Sequence, residues 1–295
     1  MLEEGKCKLI KIPWEILAPR EVGKSCYFTP RKLIVFLTHH HYDHIDGLSV
    51  ICKSNPDSVL LAHENTLSRI PKGTWSNGHV AISGGEKIQI GRQMFEAIFA
   101  PGHTDGHFSL LHLNTRSLIT GDHCVGFGSA VLDVTGGGKM KDYFQTTYKF
   151  LELFPRVLIP MHGRINLWPE RMLCGYLKHR RDREQAILEA IENGAQTLYD
   201  IVAAVYADVD IKLWIVASSN VRLHVDHLSY QDKLPKAFSL EKFQASSGIR
   251  FLLRWTVLHV KRNNLVAIKA FLAVGFVGLA FYLALKNKNC SKWMV

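Results

Sequence analysis

The stretch that decides the fold is LTHHHYDHIDG, Leu37 to Gly47. Four histidines and two aspartates fall between His39 and Gly47. The cluster is internal and interrupted by Tyr42 and Asp43, so it is no affinity tag. Immediately before it, Lys32-Leu33-Ile34-Val35-Phe36-Leu37 is a short apolar run with β-branched residues, which reads as a buried strand. Immediately after it, Ile45, Leu48, Val50 and Ile51 predict a helix. A core strand therefore ends, and a helix begins, at the cluster. Ligand sites in open α/β sheets favour that position. His39 and His41 are two apart, so in an extended segment they face the same way. Asp43 and His44 follow at the turn. Neutral imidazole and carboxylate together suit zinc and related divalent cations.

Working outward, later strand ends carry the same residue types. In APGHTDGH, His103 follows a strand ending at Phe99. In LITGDHC, Asp122 follows a strand ending at Thr120, and in LIPMHG, His162 follows a strand ending at Ile159. Each lies in a glycine-containing turn, where the backbone can approach a site closely. Between them, SVLLAHE, SGGEKIQIG and QMFEAIFAPGH read as strands. Phe108–Leu113 and Ser117–Thr120 read as a hairpin around Asn114-Thr115-Arg116. A helix is predicted from about Asp142 to Leu153, followed by a strand at Val157–Ile159.

The pattern changes after Trp168. Ala186, Ile187, Ala190 and Ile191 set a helical rhythm within Arg181–Glu192, closed by Asn193-Gly194. Thr197 with Asp200 is a capping box opening a second helix through Tyr206. Trp214–Leu228 carries Ala217, Val221, Val225 and Leu228 on one stripe. Three helices after an α/β domain predict a small winged-helix-like appendage. Further on, Leu265–Leu285 is 21 residues with Lys269 as its single charge. As a helix it would span about 31 Å, against about 30 Å for a bilayer core. Lys261 and Arg262 precede it; Lys286, Lys288 and Lys292 follow. This is the layout of a transmembrane tail anchor holding the rest of the chain in the cytosol. Without the anchor, the expectation is a soluble cytosolic or mitochondrial protein.

Charge invites a nucleic-acid or anionic-membrane reading, but its even spread gives no strong vote for it. The formal charge is +10 over 295 residues, but residues 1–168 carry 18 Lys/Arg against 15 Asp/Glu, and residues 169–262 carry 14 against 11. The densest excess is the tail, with four lysines and no acid over 263–295. The six cysteines are scattered with no C-x-x-C pair, which reads as free thiols in a reducing compartment.

The assembled motif, His39-His40-His41-Tyr42-Asp43-His44 followed by His103, Asp122 and His162, resembles the signature of the metallo-β-lactamase fold hydrolases. The phrases THHHYDH and PGHTDGH look like the lactamase-β-like and glyoxalase II branch, including its plant members. The resemblance covers about residues 32–260. It implies an α/β fold, the αββα sandwich, over residues 1–168. The winged-helix-like helical domain read above occupies 169–260 and favours that branch, with the transmembrane segment at 265–285 beyond it. The resemblance further implies two Zn2+ per chain. His39, His41 and His103 would hold one ion. Asp43, His44 and His162 would hold the other, with Asp122 bridging and Asp43 orienting the nucleophile. Thr38, Thr104 and Asp105 would orient ligands from outside. His40, His107 and His123 are expected to be outer or surface polar residues, Cys124 a small buried one, and Gly136-Gly137-Gly138-Lys139 a mobile loop, with an anion-binding run as the alternative. Members of this fold carry several strands and an Asp-x-Gly turn before the first histidine motif. Only 38 residues precede His39 here, without such a turn, so a domain short of its opening strands is expected, with KLIKIP as one strand.

The activity implied is hydrolysis by metal-activated water of a thioester or ester, or of an RNA phosphodiester in single-stranded RNA. The rival is a membrane-tethered binding or scaffold protein with an impaired hydrolase domain, motivated by the short N-terminus. The intact seven-residue ligand set argues against it.

Overall fold

The computed structural model describes residues 9–11, 33–126 and 128–263, with side chains over 33–126 and 128–258. In chain order the first elements are β1 (Leu9–Lys11), β2 (Ile34–Phe36), α1 (Tyr42–Ile45), α2 (Leu48–Ser54), β3 (Val59–Ala62), α3 (Glu64–Leu67) and β4 (Gly78–Ala81). Then come β5 (Lys87–Ile90), β6 (Gln93–Phe99), β7 (Phe108–His112), β8 (Ser117–Gly121), α4 (Met140–Glu152) and β9 (Val157–Pro160). The remainder is α5 (Pro169–Glu192), α6 (Leu198–Val205), α7 (Trp214–Tyr230), α8 (Leu240–Ala245) and α9 (Ile249–Asn263). Two compact units result. One holds the described residues up to Gln185 together with Leu223–Lys233; the other holds Ala186–Arg222 and the described residues from Leu234 onward.

The first unit is built on two sheets. One has the order β1-β5-β6-β7-β8-β9, the other β2-β3-β4. Pairing is antiparallel from β5 to β8 and parallel elsewhere. Alternation along the strands explains the layering, because successive side chains leave opposite faces. In β2 and β3, Ile34, Phe36, Val59 and Leu61 join a cluster with Ile88, Ala97 and Phe108 of the larger sheet. Their alternates Val35, Leu60 and Ala62 pack instead with Ile45 and Leu48 of α1 and α2. In the larger sheet, Ile98, Leu111 and Leu118 face away from the smaller one and meet Phe150 of α4 and Leu173 and Tyr176 of α5. Two periods of two, facing each other across Phe108, thus produce helix, sheet, sheet, helix. This is the sandwich expected. The strand β1 falls inside the KLIKIP segment; most of the chain before β2 lies outside the described residues.

The sequence expectations missed β4 and α3. The strand β4 lies at the sheet's edge and three of its four residues are exposed, so it carries no apolar run.

The second unit is helical. The capping box at Thr197 and Asp200 forms as expected, each side chain accepting the other's backbone N–H. Trp214 donates Nε1–H to the carbonyls of Tyr206 and Val209, and Trp255 donates to Ile211 at 2.7 Å. Each indole therefore buries its ring and satisfies its one donor. Among the described residues no strand follows β9.

The expected membrane anchor requires correction. Among the described residues no helix is long and apolar enough to cross a membrane; α5 has 24 residues but carries the charged run Arg180–Glu184. The segment 265–285 itself lies outside the described residues. The transmembrane helix, the tail-anchored localisation and the membrane as a partner are accordingly withdrawn from the description.

Within the first unit a polar group is buried between α5 and α7. Glu184 Oε1 accepts from His227 Nδ1 at 2.6 Å and from His224 Nδ1 at 3.3 Å. Burial works against the Glu184 carboxylate, but these two donors outweigh it and bring its pKa down to about 2. Burial brings His224 down to about 4. Both folded values lie below the ordinary ones, so the unfolded chain binds more protons in each window. The stability that His224 contributes is present above about pH 6.5 and is lost as pH falls toward 4. That from Glu184 is lost below about 4.5, toward 2. In urea titrations at stepped pH, His224→Gln should therefore show a shallower loss of stability between pH 6.5 and 4 than the parent chain. Parallel curves would refute the assignment.

Candidate metal centre

Four chain segments bring ligand-type side chains to one end of the sheets. The first leaves β2 through Leu37, whose N–H bonds the Leu61 carbonyl, and Thr38, whose carbonyl accepts from Phe108 N–H. His39 is then fully buried, and His41 caps the one-turn helix α1 that carries Asp43 and His44. The second leaves β6 through Gly102, whose φ is +134° and whose added Cβ would meet the Tyr143 backbone at 2.5 Å. Only glycine fits there, and His103 follows. The third leaves β8 through Gly121, at φ +56° and against the His107 ring, and presents Asp122. The fourth leaves β9 and presents His162, whose carbonyl accepts from Gly126 N–H at 2.7 Å.

The geometry gathers two groups around one carboxylate. His39 Nε2 lies 3.0 Å from His41 Nδ1 and 3.3 Å from His103 Nε2; the His41–His103 edge is 3.1 Å. On the other side, His162 Nε2 is 3.2 Å from His44 Nε2 and 3.0 Å from Asp43 Oδ2. Asp122 stands between them. Its Oδ2 is 3.9 Å from both His39 and His103 and 3.4 Å from His162, and its Oδ1 is 3.4 Å from His44.

Outer partners fix which nitrogen faces inward. His103 Nδ1 donates to the Val131 carbonyl at 2.7 Å and His41 Nε2 to Asp133 Oδ2 at 3.0 Å. These oxygens only accept, so His103 Nε2 and His41 Nδ1 carry bare lone pairs. His39 Nδ1 sits 3.0 Å from Thr38 Oγ1, and its Nε2 is the third inward nitrogen. Burial first, and the neighbouring imidazoles next, hold His39 far below the ordinary histidine range. Burial, then His41, holds His103 at about 4. Both rings are therefore in the neutral form that ligates metals. For Asp122, burial opposes ionisation, but contact with His44 outweighs it and lowers its pKa.

This donor set fits a cation. Around a tetrahedral zinc with bonds of about 2.0 Å, ligand nitrogens lie roughly 3.3 Å apart. The three inward nitrogens lie 3.0–3.3 Å apart, close to that spacing, and the bare lone pairs of His41 and His103 face each other at 3.1 Å. Asp122 Oδ1 is buried and has no hydrogen-bond partner, as a carboxylate oxygen awaiting an ion would be.

All seven expected ligand residues, His39, His41, Asp43, His44, His103, Asp122 and His162, are brought together. The expectations for their surroundings fare unevenly. Thr38 does touch a candidate ligand. Asp105 does not; it pairs with Arg69 at 2.5 and 2.9 Å. Thr104 Oγ1 is buried and has no hydrogen-bond partner. His107 is not a surface residue. It is wholly buried, with Nδ1 on the Ala100 carbonyl and Nε2 accepting from Asp122 N–H at 3.0 Å. His123 turns into the core, stacked on Tyr143 and 2.8 Å from Thr147 Oγ1. Cys124 is buried as expected, and burial pushes its thiol up. The three glycines are packed rather than loose. An added Cβ would meet His40 and Asp133 at Gly136, Asp105 at Gly137, and the Asp133 and His103 carbonyls at Gly138. Asp133 is the residue that sequence reasoning missed, because a lone aspartate before glycines carries no ligand spacing.

Residues 31–162 match the model of the metallo-beta-lactamase superfamily, and residues 197–237 that of the beta-lactamase associated winged helix domain. The chain carries a metallo-β-lactamase superfamily domain. It is similar to the Beta-lactamase-like protein 2 homolog of Drosophila melanogaster, 28% identical over 211 residues, covering 68% of this chain and 69% of that one. It is 31% identical over 159 residues to Lactamase-like protein adaB of Aspergillus niger, covering 54% of this chain and about half, 46%, of the fungal protein. A Beta-lactamase domain protein from Burkholderia ambifaria superposes with a TM-score of 0.61 at 15% identity, covering 72% of each chain. A metallo-beta-lactamase family protein from Thermus thermophilus does so at 0.57 and 16% identity, covering 68% of this chain and 75% of that one. At those identities the two structures show the fold alone. The match over residues 31–162 supports a metal-dependent hydrolase in general.

The contrasting environments of two adjacent residues give a direct test. Asp122→Asn should fold like the parent yet lose most of its bound metal and activity. His123→Ala should keep its metal but lose about 2–4 kcal/mol of stability, because it empties a packed core position. Metal analysis alongside denaturant unfolding of both variants separates them; metal loss in His123→Ala instead would reverse the two roles.

Proposed function

We propose that the chain is a binuclear zinc-dependent hydrolase that cleaves a thioester or ester, or an RNA phosphodiester. The observation that carries this reading is Asp122, whose two oxygens lie 3.4–3.9 Å from nitrogens of both histidine groups. His39, His41 and His103 would hold one ion, and Asp43, His44 and His162 the other, with Asp122 shared. Two bound ions supply an activated water near neutral pH and stabilise negative charge developing on a carbonyl or phosphoryl oxygen. The chain's own residues do the rest. Asp122 fixes the separation of the two groups and neutralises part of their charge. Its main-chain N–H is anchored on His107, which fixes the backbone from which the carboxylate projects. Asp43 is the exposed carboxylate of the set, its side chain 56% accessible, and is placed to receive and orient a proton-bearing nucleophile or substrate group.

The test is metal content followed by turnover. The purified chain should hold about two zinc ions. It should hydrolyse members of a thioester and ester panel, or a single-stranded RNA, and chelation should abolish turnover until zinc is restored. Turnover confined to one panel fixes the substrate class. A chain that holds two ions and cleaves neither panel would sink the hydrolase reading.

A further inference from the structure

We propose that Asp133 is a positioning residue that clamps two of the three histidines of the inner group, and that the segment 131–138 is the brace that holds it there. The inference rests on the zinc reading above. Asp133 reaches both histidines by different parts of itself. Its Oδ2 accepts from His41 Nε2 at 3.0 Å. Its main-chain N–H donates to the His103 carbonyl at 2.9 Å. Two residues earlier, the Val131 carbonyl takes the His103 Nδ1 proton at 2.7 Å. One short segment therefore determines the tautomer of His41 and of His103, and ties down the His103 backbone as well.

The carboxylate is itself held. Thr135 donates its N–H to Asp133 Oδ1 at 2.9 Å and its hydroxyl to the same oxygen at 2.6 Å. Gly138 N–H closes the turn on the Asp133 carbonyl at 2.7 Å, and Asp105 N–H bonds the Gly136 carbonyl. The glycines that follow let this turn lie directly against its clients. A side chain at Gly136 would strike Asp133 and His40, and one at Gly138 would strike the His103 carbonyl. The segment thus has the composition of a brace: an acceptor, a hydroxyl that locks the acceptor, and glycines that allow contact.

A carboxylate on the outer nitrogen of a ligating histidine fixes its orientation and raises its basicity, and losing such a partner typically costs 10–100-fold in metal affinity. The outer group is held differently. His162 is 48% exposed at its side chain, and its Nε2 faces Asp43 and Asp122, which belong to the candidate ligand set itself. The effect of Asp133 should therefore fall on one ion of the two.

The experiment is chelator competition on the zinc-loaded full chain, comparing the parent with Asp133→Ala, Asp133→Asn and Thr135→Val. Zinc release is followed for each ion, with cobalt substitution to report the coordination spectrum of the inner group. Asp133→Ala should weaken one ion about 10–100-fold and leave the other unchanged. Asp133→Asn should fall between it and the parent, and Thr135→Val should show a smaller loss with an altered cobalt spectrum. Should Asp133→Ala fail to fold, the other two variants carry the test alone. Parent-like affinity and spectrum in the variants that fold would overturn the proposal, as would equal weakening of both ions. A parent chain that binds no zinc would instead overturn the metal reading on which the proposal stands.

Discussion

Three imidazole nitrogens meet at one spot, 3.0–3.3 Å apart, and the groups around the site serve to keep them there. Left alone, those nitrogens would rotate away or pick up protons. Burial blocks the second route, since a charged ring costs too much where His39 and His103 sit. Hydrogen bonds on the outer nitrogens block the first. The two sheets supply the rigid frame, because each contributing segment leaves a strand and enters the site within a few residues. The cost of holding like groups together is met by the packed interior between the sheets, centred on Phe108.

Much of this was legible in the sequence, for a definite reason. A strand buried on both faces reads as an apolar run, and a glycine turn with a histidine or aspartate at its end is visible by eye. His39, His41, His103, Asp122 and His162 are all of that kind. Asp43 and His44 were legible from spacing, although the helix proves to begin at Tyr42, inside the cluster, and not after it. What could not be read was everything set by tertiary approach. His107 and His123 look alike in sequence, each one residue after a glycine or an aspartate, yet one anchors Asp122 and the other packs on Tyr143. Asp133 lies 92 residues from the histidine it holds, and no local pattern announces such a pair. The edge strand β4 was missed because edges need no apolar alternation.

The helices that follow the sheets tell a related story. The capping box is a local signal and was legible in the residues; the indole anchors were not, since Trp255 reaches a carbonyl 44 residues away. The buried Glu184, His224 and His227 group was not, because i, i+3 histidines on a helix mean nothing until the partner helix is known to bring a carboxylate. Replacing one member strands the others, so the three residues are constrained to change together.

The inner histidines do not all present the same nitrogen. His39 and His103 turn Nε2 inward, whereas His41 turns Nδ1. The δ nitrogen lies closer to the main chain, at the bond distance where asparagine and aspartate carry their oxygens; the ε nitrogen lies where glutamine and glutamate carry theirs. The three positions therefore have different reach, and the substitutions they tolerate differ with it. At 41 a short amide or acid keeps a donor atom in place, and a longer one overshoots. At 39 and 103 the rule inverts. Drift at these three candidate ligand positions would be channelled by side-chain length before it was channelled by charge.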